Sequence, residues 1–130
     1  MNKICTSLEQ SKKLIELGID INTADMRYGY IAPYDYSDRM YDGGYDEIPY
    51  PKDFLKKNPN FSVNEYDAEL PCWSLAALLD VLPYPHLEQN YKGKWCCKTE
   101  YADTTYLWEA DNPVDACYEM IIKLHEQNII

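Results

Sequence analysis

The sequence predicts an α+β fold, with a small antiparallel sheet packed against about three helices in one domain spanning 1–130. Three observations predict it. Residues 86–91, 94–101 and 105–109 are strand-like runs separated by turn-length gaps, Lys92-Gly93 and Ala102-Asp103-Thr104, which is the pattern of a three-stranded meander. Residues from about Pro113 to His125 carry a full set of helix signals. The chain of 130 residues is the size of one domain, large enough to fold without a metal or disulfide staple.

Along the chain, a first helix is expected over about Ser7 to Leu17. Thr6 and Glu9 have the spacing of a capping box, and Gly18 can supply the left-handed residue that ends the helix. Leu8, Ser11, Leu14 and Ile15 fall on one side, and Glu9 and Lys13 pair on the other. Residues 27–34 read as a strand, a candidate fourth member of the sheet, with Pro33 at its end or on an edge. The stretch 35–70 is expected to be largely irregular. It holds Asp35, Asp38, Asp42, Asp46 and Glu47 among Tyr36, Tyr41, Tyr45 and Tyr50, with Gly43-Gly44, Pro49, Pro51 and Pro59. A short helical turn fits 51–57.

Ser74 to Leu82 reads as a helix capped by Ser74, with Trp73 stapled against Leu78. Asp80 is its one charge, so burial nearly all round is expected. In the middle strand of the meander, Trp95, Cys97, Thr99 and Tyr101 share a face covered by helices. Lys94, Cys96, Lys98 and Glu100 share the wet one. In the last helix Asn112 is the cap and Pro113 fills the first position. Val114, Cys117, Ile121 and Leu124 form the core stripe, widened by Tyr118 and Ile122. Asp115, Glu119, Lys123 and Glu126 face water.

Charge and cysteine usage narrow the function classes. Acids number 22 against 12 bases, a formal charge of −10, with Arg27 and Arg39 the two arginines. Direct nucleic-acid binding and attachment to anionic membranes are disfavoured on that balance. Five cysteines cannot all pair within one chain. No apolar run reaches the length of a signal peptide or a membrane span, so the reading is a reducing cytoplasm with cysteines acting as small buried hydrophobes.

Three stretches carry a resemblance: Thr23-Ala-Asp-Met26, Pro71-Cys-Trp-Ser-Leu-Ala-Ala-Leu-Leu79 and Asp111-Asn-Pro-Val-Asp-Ala-Cys-Tyr-Glu-Met120. Together they resemble a group of small proteins from gut-bacterial mobile elements and prophages with no assigned activity. The resemblance implies a bacterial or phage setting and an accessory or host-interaction role. It transfers no function to any residue.

Catalytic patterns fail on inspection. His86-Leu87-Glu88 has the H-x-E shape of zinc deaminases, but Pro71-Cys72 lies upstream and no C-x-x-C follows. His125 sits near a helix C-terminus, where an imidazolium gains from the dipole. Cys96 and Cys97 are adjacent, so in a strand they point to opposite faces and cannot share one metal. No metal site and no cofactor is predicted. The aspartates between 35 and 46 lack the alternate spacing of a calcium loop.

What is left is a tyrosine and acid surface: Tyr28, Tyr30, Tyr36, Asp38, Tyr41, Asp42, Tyr45 and Asp46. Tyrosines supply contact area at low entropic cost, although they can equally serve only to cover a small sheet. A second acid run lies between Lys98 and Lys123, with six acids and no base. The leading reading is a non-enzymatic protein-interaction protein, with acidic mimicry of nucleic acid as one variant. A homodimer through a strand edge or the tyrosine surface is compatible with it. The rival reading is a small-molecule binder or small enzyme. That reading requires a concave pocket lined by several of Tyr28, Tyr30, Tyr36, Trp95 and Trp108 with a convergent acid, suited to a sugar or a cation.

Overall fold

A computed structural model describes residues 3–33, 46–59, 61–63 and 70–130. Helix α1 (Leu8–Glu16) leads into a short 3-10 turn (Ile21–Thr23) and strand β1 (Met26–Pro33). Strand β2 (Asp46–Pro51), the one-turn helix α2 (Phe54–Lys57), β3 (Phe61–Val63) and β4 (Leu70–Cys72) follow. Helix α3 (Leu75–Val81), strands β5 (His86–Gln89), β6 (Trp95–Tyr101) and β7 (Thr104–Ala110), and helix α4 (Pro113–Glu126) complete the chain. Among the described residues no helix is long and apolar enough to cross a membrane.

The fold is α+β as expected, with two antiparallel sheets. The meander β5-β6-β7 is one sheet. Strand β1 does not join it as a fourth strand; it is the centre of a separate sheet. Met26 pairs with Pro51 of β2 and Cys72 of β4, and Ile31 pairs with Asp46 of β2 and Val63 of β3. Strands β3 and β4 therefore share the edge opposite β2. Two strands, β2 and β3, thus lie in the stretch expected to be irregular, and β4 begins at its last residue. Strands β3 and β4 are only three residues long, and β2 contains Pro49 and Pro51, so composition hides them. The ring of Tyr50 in β2, which pairs with Arg27, reaches diagonally over Gly29 of β1, whose absent side chain makes the room: a Cβ there would stand 3.1 Å from the Tyr50 ring.

Helix α4 anchors the core. Asn112 Oδ1 accepts from the Asp115 N–H, and Pro113 opens the helix. The expected stripe of Val114, Cys117, Ile121 and Leu124 is fully buried, joined by Ala116 and Met120. Against it lie Cys97 of β6, Leu14 of α1, and Trp73, Ala77, Leu78 and Leu82 around α3. Helix α3 buries Ala77 and Leu78, but Ala76 and Asp80 are exposed, so it is covered on one side and not all round. Its cap is Ser74, as expected, and Trp73 packs in the same core as Leu78 while its indole N–H donates to Thr23 Oγ1 at 2.9 Å.

The first helix begins one residue later than its spacing suggests. Ser7 and Gln10 form the capping box, each side chain bonding the other's backbone N–H. Thr6 is thereby free for the interior. Its hydroxyl accepts from the Trp73 N–H at 3.0 Å and shares a 2.8 Å hydrogen bond with the buried Ser11. Asp115 also departs from expectation. It sits on the expected wet stripe but clips the N-terminus to α4, taking bonds from Lys3, Gln10 and Asn112, each at 2.8 Å.

Thr99, on the helix-covered face of β6, is fully buried, and its hydroxyl has no hydrogen-bond partner among the described residues. An unpaired buried hydroxyl costs on the order of 1–3 kcal/mol, and an apolar group of the same shape escapes that cost. Thr99→Val should therefore raise stability by about 1 kcal/mol and the melting temperature by about 4 °C. Thr99→Ser, which keeps the hydroxyl and loses the methyl, should lower both. Thermal unfolding of the two variants checks this, and a destabilised Thr99→Val would show that the hydroxyl is paired.

Candidate functional site

The open edge of β7 is the most distinctive surface of the described molecule. Ala102 and Asp103 both take positive φ, 49° and 64°, which makes a two-residue turn of the kind that matches strand twist. Tyr101 and Thr104 close it. In such a turn the Thr104 N–H bonds back to the Tyr101 carbonyl. Alternation then points the backbone groups of Tyr106, Trp108 and Ala110 toward β6 as well. The N–H and C=O groups of Thr105, Leu107 and Glu109 point away, to an edge that no other described strand pairs.

The other edges are blunted. Strand β5 has four residues behind Pro83 and Pro85 and carries exposed His86 and Glu88. Strand β2 contains two prolines, and β3 and β4 are three residues each. Strand β7 has seven residues, no proline, no lysine and the single charge Glu109. Leu107 is 54% exposed and Trp108 38%. Natural edges of this length usually carry charges, above all lysine, a proline or a bulge against unwanted pairing, and the one such residue in β7 is Glu109.

Beside this edge is an open groove of about 440 Å³, lined by Lys94, Trp108, Glu109, Asp111, Asp115 and Glu119 among others. It collects four of the six acids in the run between Lys98 and Lys123. The other two, Glu100 and Asp103, line a separate concavity with Tyr84 and Tyr101 at the turn end of the hairpin. Lys94 bonds Asp111, and Lys3 bonds Asp115. The six acids of this run are thus divided and partly neutralised, not aligned in one ridge. Of the aromatic residues required by a small-molecule pocket, the groove contains Trp108, and the Lys123 ammonium already lies 5.1 Å from that ring's centre.

The tyrosine and acid surface is only partly visible. Tyr36, Asp38, Tyr41, Asp42 and Tyr45 lie outside the described residues. Tyr30 and Asp46 are placed by backbone alone, in β1 and β2. Tyr28 is half-buried. Its hydroxyl donates to the Thr6 carbonyl at 3.0 Å and lies 3.7 Å from Cys5 Sγ, tying β1 to the N-terminal segment. The nearby Tyr50 is 2% exposed and covers the sheet.

All five cysteines are free thiols and buried. The Cys72 thiol hydrogen-bonds Cys5 and, helped by Tyr28 and Lys3, outweighs burial to bring the Cys5 thiol down to about 7. Cys72, as the proton holder, is pushed up. Cys97 and Cys117 form a second such pair, lowered and raised respectively. Burial and the carboxylates of Glu109 and Glu88 push Cys96 up. Cys5 is 3% exposed, so its lowered thiol faces packed protein and not a substrate. Among the described residues no group of three His, Cys, Asp or Glu is arranged to hold a metal ion.

No protein-family model matches the chain, and the searches of curated proteins and of solved structures likewise find no match.

Burial opposes ionisation of Asp115, but the bonds from Lys3, Gln10 and Asn112 outweigh it and hold the carboxyl below its ordinary value. A depressed carboxyl contributes stability above its unfolded pKa and loses it as pH falls through the folded value. The stability difference between the protein and Asp115→Asn should therefore be fully present above about pH 5 and shrink steadily below about pH 4. Thermal unfolding over that range measures it. A difference independent of pH would remove the ionic part of this clip.

Proposed function

We propose that this chain is a non-enzymatic protein-interaction protein, and that it engages its partner by adding a strand to the edge of β7. One observation carries the reading. Seven residues of strand are paired on one side, and outward N–H and C=O groups at Thr105, Leu107 and Glu109 flank the exposed Leu107 and Trp108. Strand addition draws affinity from the main chain and specificity from alternate side chains, and an exposed tryptophan is a common energetic anchor. The bacterial or phage accessory setting rests on the resemblance of residues 23–26, 71–79 and 111–120, and a cytoplasmic location on the same setting. The candidate tyrosine and acid surface belongs to this proposal as a second contact region.

A second reading has one observation behind it: the groove in which Trp108 meets Glu109, Asp111, Asp115 and Glu119. A sugar or organic cation could stack there. It would first have to displace Lys123 from the ring, so the edge is the better-supported site.

The test is capture. Tagged protein is expressed in bacteria beside an untagged copy, purified under mild conditions, and its co-purifying chains are identified by mass spectrometry. A stoichiometric chain, either another protein or the untagged copy, should be retained by the natural sequence and lost from Leu107→Lys, which puts a charge at the middle of the edge. Retention of nothing, or retention indifferent to Leu107→Lys, contradicts the proposal.

A further inference from the structure

The partner that best fits the β7 edge can be worked out from the strand itself. We propose that β7 pairs antiparallel with β7 of a second copy of this chain, Leu107 facing Leu107 across a two-fold axis. This rests on the edge being an interaction site and adds what occupies it.

Hydrogen-bond phase restricts the register. Thr105, Leu107 and Glu109 must face one another, so the axis passes through one of them or through Tyr106 or Trp108 between them. Centring on Tyr106 sets Leu107 against Thr105 and Glu109 against Asp103 of the turn, and centring on Trp108 sets Leu107 against Glu109, each with two hydrogen-bonded pairs inside the strand. Centring on Glu109 sets two carboxylates against each other. Centring on Thr105 leaves Trp108 and Glu109 opposite the turn and the end of β6. Centring on Leu107 overlaps the whole of both strands and forms three hydrogen-bonded residue pairs, about six backbone bonds.

The side chains agree with that register. On the face away from α4, Leu107 meets Leu107, and Glu109 meets Thr105 of the other copy, whose hydroxyl can donate to the carboxylate. The strand's one charge therefore faces a neutral donor in both halves. On the α4 face, Tyr106 lies opposite Trp108 twice over, in the closer, non-hydrogen-bonded positions where aromatic pairs interact best. The result is a continuous six-stranded sheet with both α4 helices on one face. An isologous pairing of this kind closes on itself and leaves the blunted β5 strands as its outer edges. Two copies at −10 each repel, and the ends of the joined strands bring Asp103 toward Asp111. Salt should therefore tighten the dimer.

Sedimentation equilibrium from about 1 μM to 1 mM protein reads the outcome as a dissociation constant. The natural sequence should form a dimer that tightens as sodium chloride is raised. Thr105→Glu, which faces Glu109 in the proposed register, should weaken the dimer about tenfold, and Thr105→Lys should tighten it by a similar factor. Thr105 is exposed, and circular dichroism of each variant confirms that the fold is kept. A monomer throughout the range overturns the proposal, as does a dimer indifferent to both substitutions. If the chain is monomeric yet captures a different protein through an edge sensitive to Leu107→Lys, self-pairing falls while the interaction reading stands. If neither is seen, both fall.

Discussion

The packing of α4 on the inner face of the β5-β6-β7 sheet decides where every residue of the hairpin points. Val114, Ala116, Cys117, Met120, Ile121 and Leu124 are all fully buried, and each of the larger side chains contributes about 1.5–3 kcal/mol. A slip of one residue in β6 would turn Lys98 and Glu100 toward this stripe in place of Cys97 and Thr99, so the register is strongly held. The two-residue turn at Ala102–Asp103 carries that register into β7 without slack. Once the inner face and the turn are fixed, Thr105, Leu107 and Glu109 have no choice but to present their backbone groups outward.

Much of this half of the molecule could be read from the residues. The caps Asn112 and Ser74 act through short local bonds, so composition predicts them directly. The meander follows from alternation and short gaps, although β7 begins at Thr104 because positive φ at two residues suffices to reverse the chain. The first sheet was hidden for the opposite reason. Its strands are short or contain proline, and what makes them strands is pairing across 15 or more positions, such as Ile31 with Asp46 and Met26 with Cys72. That Ser7 and not Thr6 caps α1 is likewise a matter of tertiary structure, because Thr6 is held inward by the distant Trp73. For the candidate site, the tyrosines stand out by composition, whereas the edge of β7 is a property of topology. Its sequence signal is what is missing from residues 104–110, a proline or a lysine.

The two sheets are also handled differently. The first is pinned from several directions: Tyr28 bonds Thr6, Cys5 pairs in a bridge with Ser74, and the Asp25 carboxylate takes bonds from both the backbone and the hydroxyl of Ser74. These contacts, with the Lys3–Asp115 clip, join the N-terminal segment to both α3 and α4. The second sheet is pinned on one face by α4 and is open along β7. A chain with charge −10 can carry such an edge with less risk of indiscriminate aggregation, because repulsion opposes any contact that lacks complementary geometry. The same repulsion sets a demanding standard for a genuine partner, and a second copy meets it by placing Glu109 against Thr105.

Amide hydrogen exchange resolved by residue along β7 tests the central claim most directly. At low protein concentration Tyr106, Trp108 and Ala110 should be protected by β6 while Thr105, Leu107 and Glu109 exchange freely, and at high concentration the second set should become protected while the first is unchanged. Uniform exchange along the strand at low concentration, or no concentration dependence at the three outward amides, would contradict the account.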